Sequence, residues 1–187
     1  MTNSRHHTSA HSPEFALLGF LEQSSAHGYE LHRRLVEELG EILQCSTSQT
    51  YNILTRLEAH GFIKGKIQTQ KKRPDKRELR LTPSGREHFE TWLGELSACS
   101  VHAIRVEFMT RLYFLHARNA QSAIQMVGAQ TTALKKYLEQ LNDEMQKIPE
   151  NQVFNRLGMS LRISQLGRLI PWLEICKNQL PIHILEK

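Results

Sequence analysis

The stretch from residue 120 to 148 constrains the fold more than any other. Ile124, Val127, Thr131, Leu134, Leu138, Leu141, Met145 and Ile148 follow one another at alternating steps of three and four, the period of one stripe along an α-helix. No proline interrupts the run, and Pro149 ends it. The pattern predicts a helix roughly 40 Å long at 1.5 Å per residue, with a narrow apolar seam that must be buried. A second stretch, Val153 to Leu180, repeats the device with Phe154, Leu157, Leu161, Leu166, Leu169, Leu173, Cys176 and Leu180. The step from Leu161 to Leu166 breaks its register, and Pro171 is expected to kink it or interrupt its hydrogen-bond ladder. The two helices can pair as an antiparallel hairpin within one chain. Two narrow seams do not, however, also cover the flanking Tyr137, Ile170 and Trp172, so contact with a second copy is expected. Ile124, Val127, Leu134, Leu138, Leu141, Leu161, Leu166, Leu169 and Leu173 are the expected dimerisation residues.

With 187 residues, 40% of them hydrophobic and 23% charged, the chain has enough apolar material for one or two small domains and is not of disordered or collagenous type. Its longest apolar run, Phe15 to Leu21, is far shorter than the roughly 20 residues of a membrane-spanning helix. The first dozen residues lack the apolar core of a secretory signal. No membrane partner and a cytoplasmic location are therefore expected. Cys45, Cys99 and Cys176 are widely separated and form no CxxC pair, so each reads as a small hydrophobe, with a redox-sensing thiol as the alternative. His6, His7 and His11 sit in a polar leader, and Cys99 with His102 supplies only two ligands. No metal site is expected.

Residues 1–11 read as a disordered leader. Ser12 and Pro13 then announce a first helix carrying Phe15, Leu18 and Leu21 and ending near Gln23 to Ser25. A second, from His27 to Leu39, places Leu31, Leu35 and Leu39 on one stripe, with Gly40 as its stop. The third starts at Ser46 and Gln49, whose S-x-x-Q spacing lets hydroxyl and amide satisfy free backbone donors reciprocally, and should end at His60 and Gly61. At 100° per residue, Thr50, Ile53, Leu54 and Leu57 face the core while Ser48, Gln49, Asn52 and Arg56 point away. Amides suit adenine and guanidinium suits guanine, although a solvated helix face looks the same.

Charge favours the first of those readings. Residues 62–69 and 77–82 alternate like strands, and a basic tip joins them. From Lys64 to Arg80 there are eight basic residues against two acidic ones, a net +6, whereas the whole chain carries +5. The positive charge is thus concentrated in one hairpin directly after a polar-faced third helix, as a phosphate-binding wing requires. Three helices and a two-stranded β-wing make a winged helix-turn-helix whose third helix enters the major groove of double-stranded DNA. Thr82-Pro83 restarts a helix with Phe89, Trp92, Leu93 and Leu96 on one face. The expected fold is mainly α: a winged helix-turn-helix domain over 12–97 and an all-helical, coiled-coil-like dimerisation domain over 98–187. The candidate DNA contacts are Ser48, Gln49, Asn52 and Arg56 on bases, and Lys71, Lys72, Arg73, Lys76 and Arg77 on phosphates. Tyr51 either offers its hydroxyl to a phosphate or packs beside Leu54.

Several strings in order, Leu17-Leu18-Gly19-Phe20-Leu21, His27-Gly28-Tyr29-Glu30-Leu31, Ser48 to Leu54, Arg56 to Ile63, Arg73-Pro74 and Leu81 to Gly85, resemble the PadR-like transcriptional regulators. Arg105 to Leu112 resembles the start of the C-terminal domain in their larger members. The resemblance implies a homodimeric repressor on a pseudo-palindromic operator, with dimerisation through the C-terminal helices. Lys72 and Leu79 stand where the family often has a glycine and an aromatic, which leaves the geometry of the wing tip open. The resemblance also implies a small-molecule effector of unassigned identity. Trp92, Phe108, Tyr113, Phe114 and Trp172 would line its pocket, or are plain core. There is no GxSxG turn, glycine-rich phosphate loop or clustered Cys/His/Asp set, so neither catalytic residues nor a cofactor are expected. The rival readings are a winged-helix protein-interaction module without operator binding and a MarR-like regulator. The latter usually places dimerising helices at both termini.

Overall fold

In the computed structural model, which describes residues 13–68 and 76–180, the chain divides between Glu95 and Leu96 into two units, each taken by itself below. The predicted leader and the wing tip with Lys71, Lys72 and Arg73 lie outside the described residues.

The first unit runs α1 (Glu14–Gln23), β1 (Ala26–His27), α2 (Gly28–Leu39), α3 (Thr47–Ala59), β2 (Ile63–Gln68), β3 (Lys76–Leu81) and α4 (Pro83–Gly94). The sequence pattern predicts a one-sided α1, but all six residues from Ala16 to Leu21 are buried. The helix packs against α2, α3, α4 and β3 at once, as a helix apolar on every side must. Phe15 stacks on Trp92 with ring centroids 4.4 Å apart. Leu31, Leu35 and Leu39 of α2 are buried as their spacing requires.

The wing is part of a three-stranded antiparallel sheet in the order β1-β3-β2, not a two-stranded one. Ala26 and His27 pair with Leu79 and Glu78, and a two-residue strand leaves no alternation to read. On the other side, Ile63 pairs with Leu81 and Gln68 with Lys76, so β2 is an edge strand. Thr82 caps α4, its hydroxyl accepting from Gly85 N–H at 3.1 Å. Phe89, Trp92 and Leu93 are buried, but Leu96 lies beyond the last turn and is exposed.

The second unit comprises α5 (Val101–Ala103), a π-helical turn (Ile104–Phe108), α6 (Met109–Arg118), α7 (Ala120–Lys147), α8 (Val153–Gly167) and α9 (Leu169–Gln179). The predicted long helix is α7. Its seam is covered inside the chain, where α6, α8 and α9 all pack on it. Of the expected dimerisation residues, Val127, Leu134, Leu141, Leu166 and Leu173 belong to this core, and Leu138 and Leu169 pack against it. Ile124 is half-buried, and Leu161 is exposed. The flanking Tyr137, Ile170 and Trp172 pack against this core and are only partly buried.

The second long stretch breaks at Arg168 rather than kinking at Pro171. Proline lacks an N–H and its ring collides with the carbonyl four residues earlier, here Gly167. The helix therefore ends at Gly167, and Pro171 falls in the first turn of α9, where a missing donor is tolerated. Phe108 and Phe114 are core, Phe108 meets Trp172 edge-on at 6.4 Å, and Trp92 belongs to the first unit. No helix among the described residues is long and apolar enough to cross a membrane.

A polar network runs through this second core. Arg111 and Glu107, one turn apart and both buried, form an ion pair. The Arg111 guanidinium also donates to Ser97 Oγ. Gln130 locks the same serine's backbone, its amide accepting from Ser97 N–H and donating to Ser97 C=O, both at 3.0 Å. Removing one partner of such a pair strands a buried charge. Arg111→Ala should therefore cost about 3–5 kcal/mol in a urea unfolding curve, while replacing both partners (Arg111→Met with Glu107→Leu) should recover most of the loss. A loss below about 1 kcal/mol for the single variant would mean that water reaches Glu107.

Candidate nucleic-acid interface

The third helix begins as its spacing predicts. Ser46 Oγ accepts from Gln49 N–H at 3.3 Å, and Gln49 Oε1 accepts from Ser46 N–H at 2.8 Å. At the other end Gly61 takes a φ of +73°, the left-handed conformation glycine adopts without a side-chain penalty. Thr50, Ile53, Leu54 and Leu57 are buried, so Ser48, Asn52 and Thr55 stand in solvent on the opposite side.

Two of the proposed base readers are engaged elsewhere. The Gln49 carbonyl is used in the cap, which leaves only its amide donor for a base. Arg56, on the last turn, points back to Glu14 of α1, with Nη2 3.0 Å from Oε2. Exposed Tyr51 lies over Gly28, where an added Cβ would come within 2.9 Å of its ring. Packing against Gly28 and Leu54 thus holds the ring.

The start of α3 has a support with no sequence signature, because the partners are 15 and 18 residues apart. The ring nitrogens of His32, on α2, lie 3.0 Å from Thr47 Oγ1 and 2.9 Å from Thr50 Oγ1. The Thr50 hydroxyl already donates to Ser46 C=O at 3.2 Å. One His32 ring thus bridges both hydroxyls, tying α2 to the first turn of α3. Cys45 Sγ is 3.4 Å from the same Thr50 oxygen. Burial pushes the thiols of Cys99 and Cys176 up from their ordinary pKa, which disfavours the reactive thiolate.

On the wing, Lys64 and Lys66 are exposed, and Lys76 opens β3 at the register position opposite Gln68. Arg80 is held by Glu78 at 2.8 Å. Arg77 is held by Glu58 of α3, with Nη2 2.5 Å from Oε1. Sequence reasoning assigned Arg77 to phosphate and did not find Glu58, since nothing in their spacing links a helix carboxylate to a strand 19 residues on. Between α3 and the sheet lies a groove of about 300 Å³ lined by His27, Tyr29, Tyr51, Thr55, Glu58 and Arg77 among others. Among the described residues no group of three or more His, Cys, Asp or Glu is placed to hold a metal ion.

Three helices closed by an antiparallel hairpin, with the third helix presenting a capped start and a bare polar face, define a winged helix-turn-helix protein. Residues 17–91, most of the first unit, match the transcriptional regulator PadR-like family. The chain is similar to the negative transcriptional regulator PadR of Bacillus subtilis, with 27% identity over 135 residues, 72% of this chain and 74% of that one. It is also similar to a probable transcriptional regulator of Mycobacterium tuberculosis, with 31% identity over 83 residues, 44% of this chain and 43% of that one. Among solved structures, that of Bacillus subtilis PadR in complex with operator DNA matches 90% of this chain and 98% of its own at 24% identity and a TM-score of 0.45.

The cap can be tested apart from any nucleic acid. Ser46→Ala removes the side-chain acceptor at the start of α3 and should lower stability by about 1 kcal/mol in chemical denaturation, whereas Ser48→Ala, two residues on and exposed, should change it by less than about 0.5 kcal/mol.

Proposed function

We propose that the chain is a homodimeric repressor that occupies a pseudo-palindromic operator through α3 and the wing. The observation that carries this reading is the exposed Ser48, Asn52 and Thr55 face of a helix whose other side is locked into the core. The Bacillus subtilis relative is a negative regulator, and the same sign of action is carried here. Asn52 is the principal base reader, and Ser48 and the Gln49 amide donor assist. Arg56 serves instead as a tie to α1. Lys71, Lys72, Arg73 and Lys76 supply phosphate attraction from the hairpin that holds the chain's excess positive charge.

Dimerisation is assigned to α8. Its outward face carries Phe154, 88% exposed, with Leu157 and Leu161, each 60% exposed. These lie at i, i+3 and i+7, opposite the residues that pack on α7. A contiguous apolar stripe of this kind is the mark of an interaction surface, and Leu161 is the member of the sequence-based set that belongs to it. Twofold pairing would place two α3 helices one DNA turn apart, about 34 Å, or a multiple of it.

The decisive experiment selects bound fragments from genomic DNA with the purified protein and footprints them. Inverted half-sites are expected, and unselected sequence throughout would refute the reading. On the selected fragment, Asn52→Ala should cost about 1–3 kcal/mol while leaving affinity for random DNA nearly unchanged; equal losses on both would exclude base reading by Asn52. Leu157→Asp should convert the dimer to a monomer in sedimentation with little effect on the melting of α7, and an unaltered dimer would move the interface elsewhere.

A further inference from the structure

We propose that Glu58 is a positioning residue that fixes the wing to the recognition helix, and that Gly65 is glycine so that this clamp can close. The proposal rests on the DNA-binding reading above and names a determinant of its specificity.

The recognition helix carries a carboxylate on the groove it shares with the wing. Beside a polyanion an unneutralised acid repels, so its presence requires another use. Glu58 Oε1 accepts from two groups at once, the guanidinium of Arg77 on β3 at 2.5 Å and the backbone N–H of Gly65 on β2 at 3.1 Å. One oxygen therefore joins α3 to both strands of the hairpin. The Gly65 donor lies on β2, whose only neighbour in the sheet among the described residues is β3; Glu58 satisfies this edge N–H while Arg77 cancels its charge.

Gly65 completes the unit. A Cβ there would fall 2.3 Å from Arg77 Nε and 2.9 Å from its Cζ, so the guanidinium lies directly over the glycine. Any side chain at 65 must push Arg77 off Glu58. The atoms that give way belong to a flexible, half-exposed side chain, so the fold survives while the clamp opens. Base readers on α3 and phosphate contacts on the wing must reach one duplex simultaneously, and the clamp sets the angle between them.

The test measures the ratio of affinities for a selected genomic fragment and for random DNA across a salt series. Gly65→Ala changes no charge. It should lower the ratio at least about fivefold, the lower bound for one lost base contact, with the salt slope and melting temperature as in wild type. In an Arg77→Ala background, where the clamp is already open, Gly65→Ala should lower the ratio no further. Glu58→Gln should tighten binding to random DNA by freeing Arg77, and steepen the salt slope by up to about 0.9 per protomer, yet also lower the ratio. An unchanged ratio in Gly65→Ala, or an equal fall with and without Arg77, overturns the clamp alone. A wild-type protein with no preference for any fragment overturns the repressor reading and the clamp together.

Discussion

The apolar stripe of α3 is the contact on which the first unit depends. A helix of 13 residues is marginal by itself in water. Burying Ile53, Leu54 and Leu57 in the core holds it in place and in one rotational setting. That setting puts Asn52 outside and gives Thr50 to His32 inside. The core that α3 docks on is built around α1, whose six consecutive buried residues leave no face for solvent. Function at this surface is thus a by-product of packing on the reverse side, and substitutions in α1 should disturb recognition without touching a nucleotide.

Electrostatics refines that picture. The hairpin holds the chain's surplus of positive charge, but its two arginines on β3 are each matched by a nearby carboxylate. The lysines, as compact point charges, suit a counterion atmosphere, whereas these two arginines, with planar forks, serve geometry within the protein. The same division holds in the second unit, where Arg111 is wholly enclosed and organises Glu107 and Ser97.

How much of this could be read from residues alone depends on the range of the interaction. Local signals were legible: the Ser46 and Gln49 cap, Gly61 as terminator, the stripe of α3, the strands of the hairpin and the α7 period all rest on neighbours within a few positions. Contacts across the chain were not. The pairing of Ala26 with Leu79, the tie from Arg56 to Glu14 and the Glu58 to Arg77 bridge join residues 19 to 53 positions apart, and no periodicity encodes them. The α7 seam shows the same divide. Its spacing revealed that it must be buried but not by which elements, and within the chain α6, α8 and α9 pack on it. Pro171 was rightly read as a disruption, but its effect falls at the carbonyl it would strike, one turn upstream.

The bare aromatic and leucine row on α8 also bears on how such a regulator responds to its own abundance. Below the dissociation constant of the pair, the competent species forms by mass action, so its amount grows with the square of chain concentration. With the pairing assigned to this row as proposed above, gene control has a threshold set by how strongly Phe154, Leu157 and Leu161 self-associate. A few cubic ångströms trimmed from that row would shift the expression level at which silencing begins, without altering which sequence is silenced.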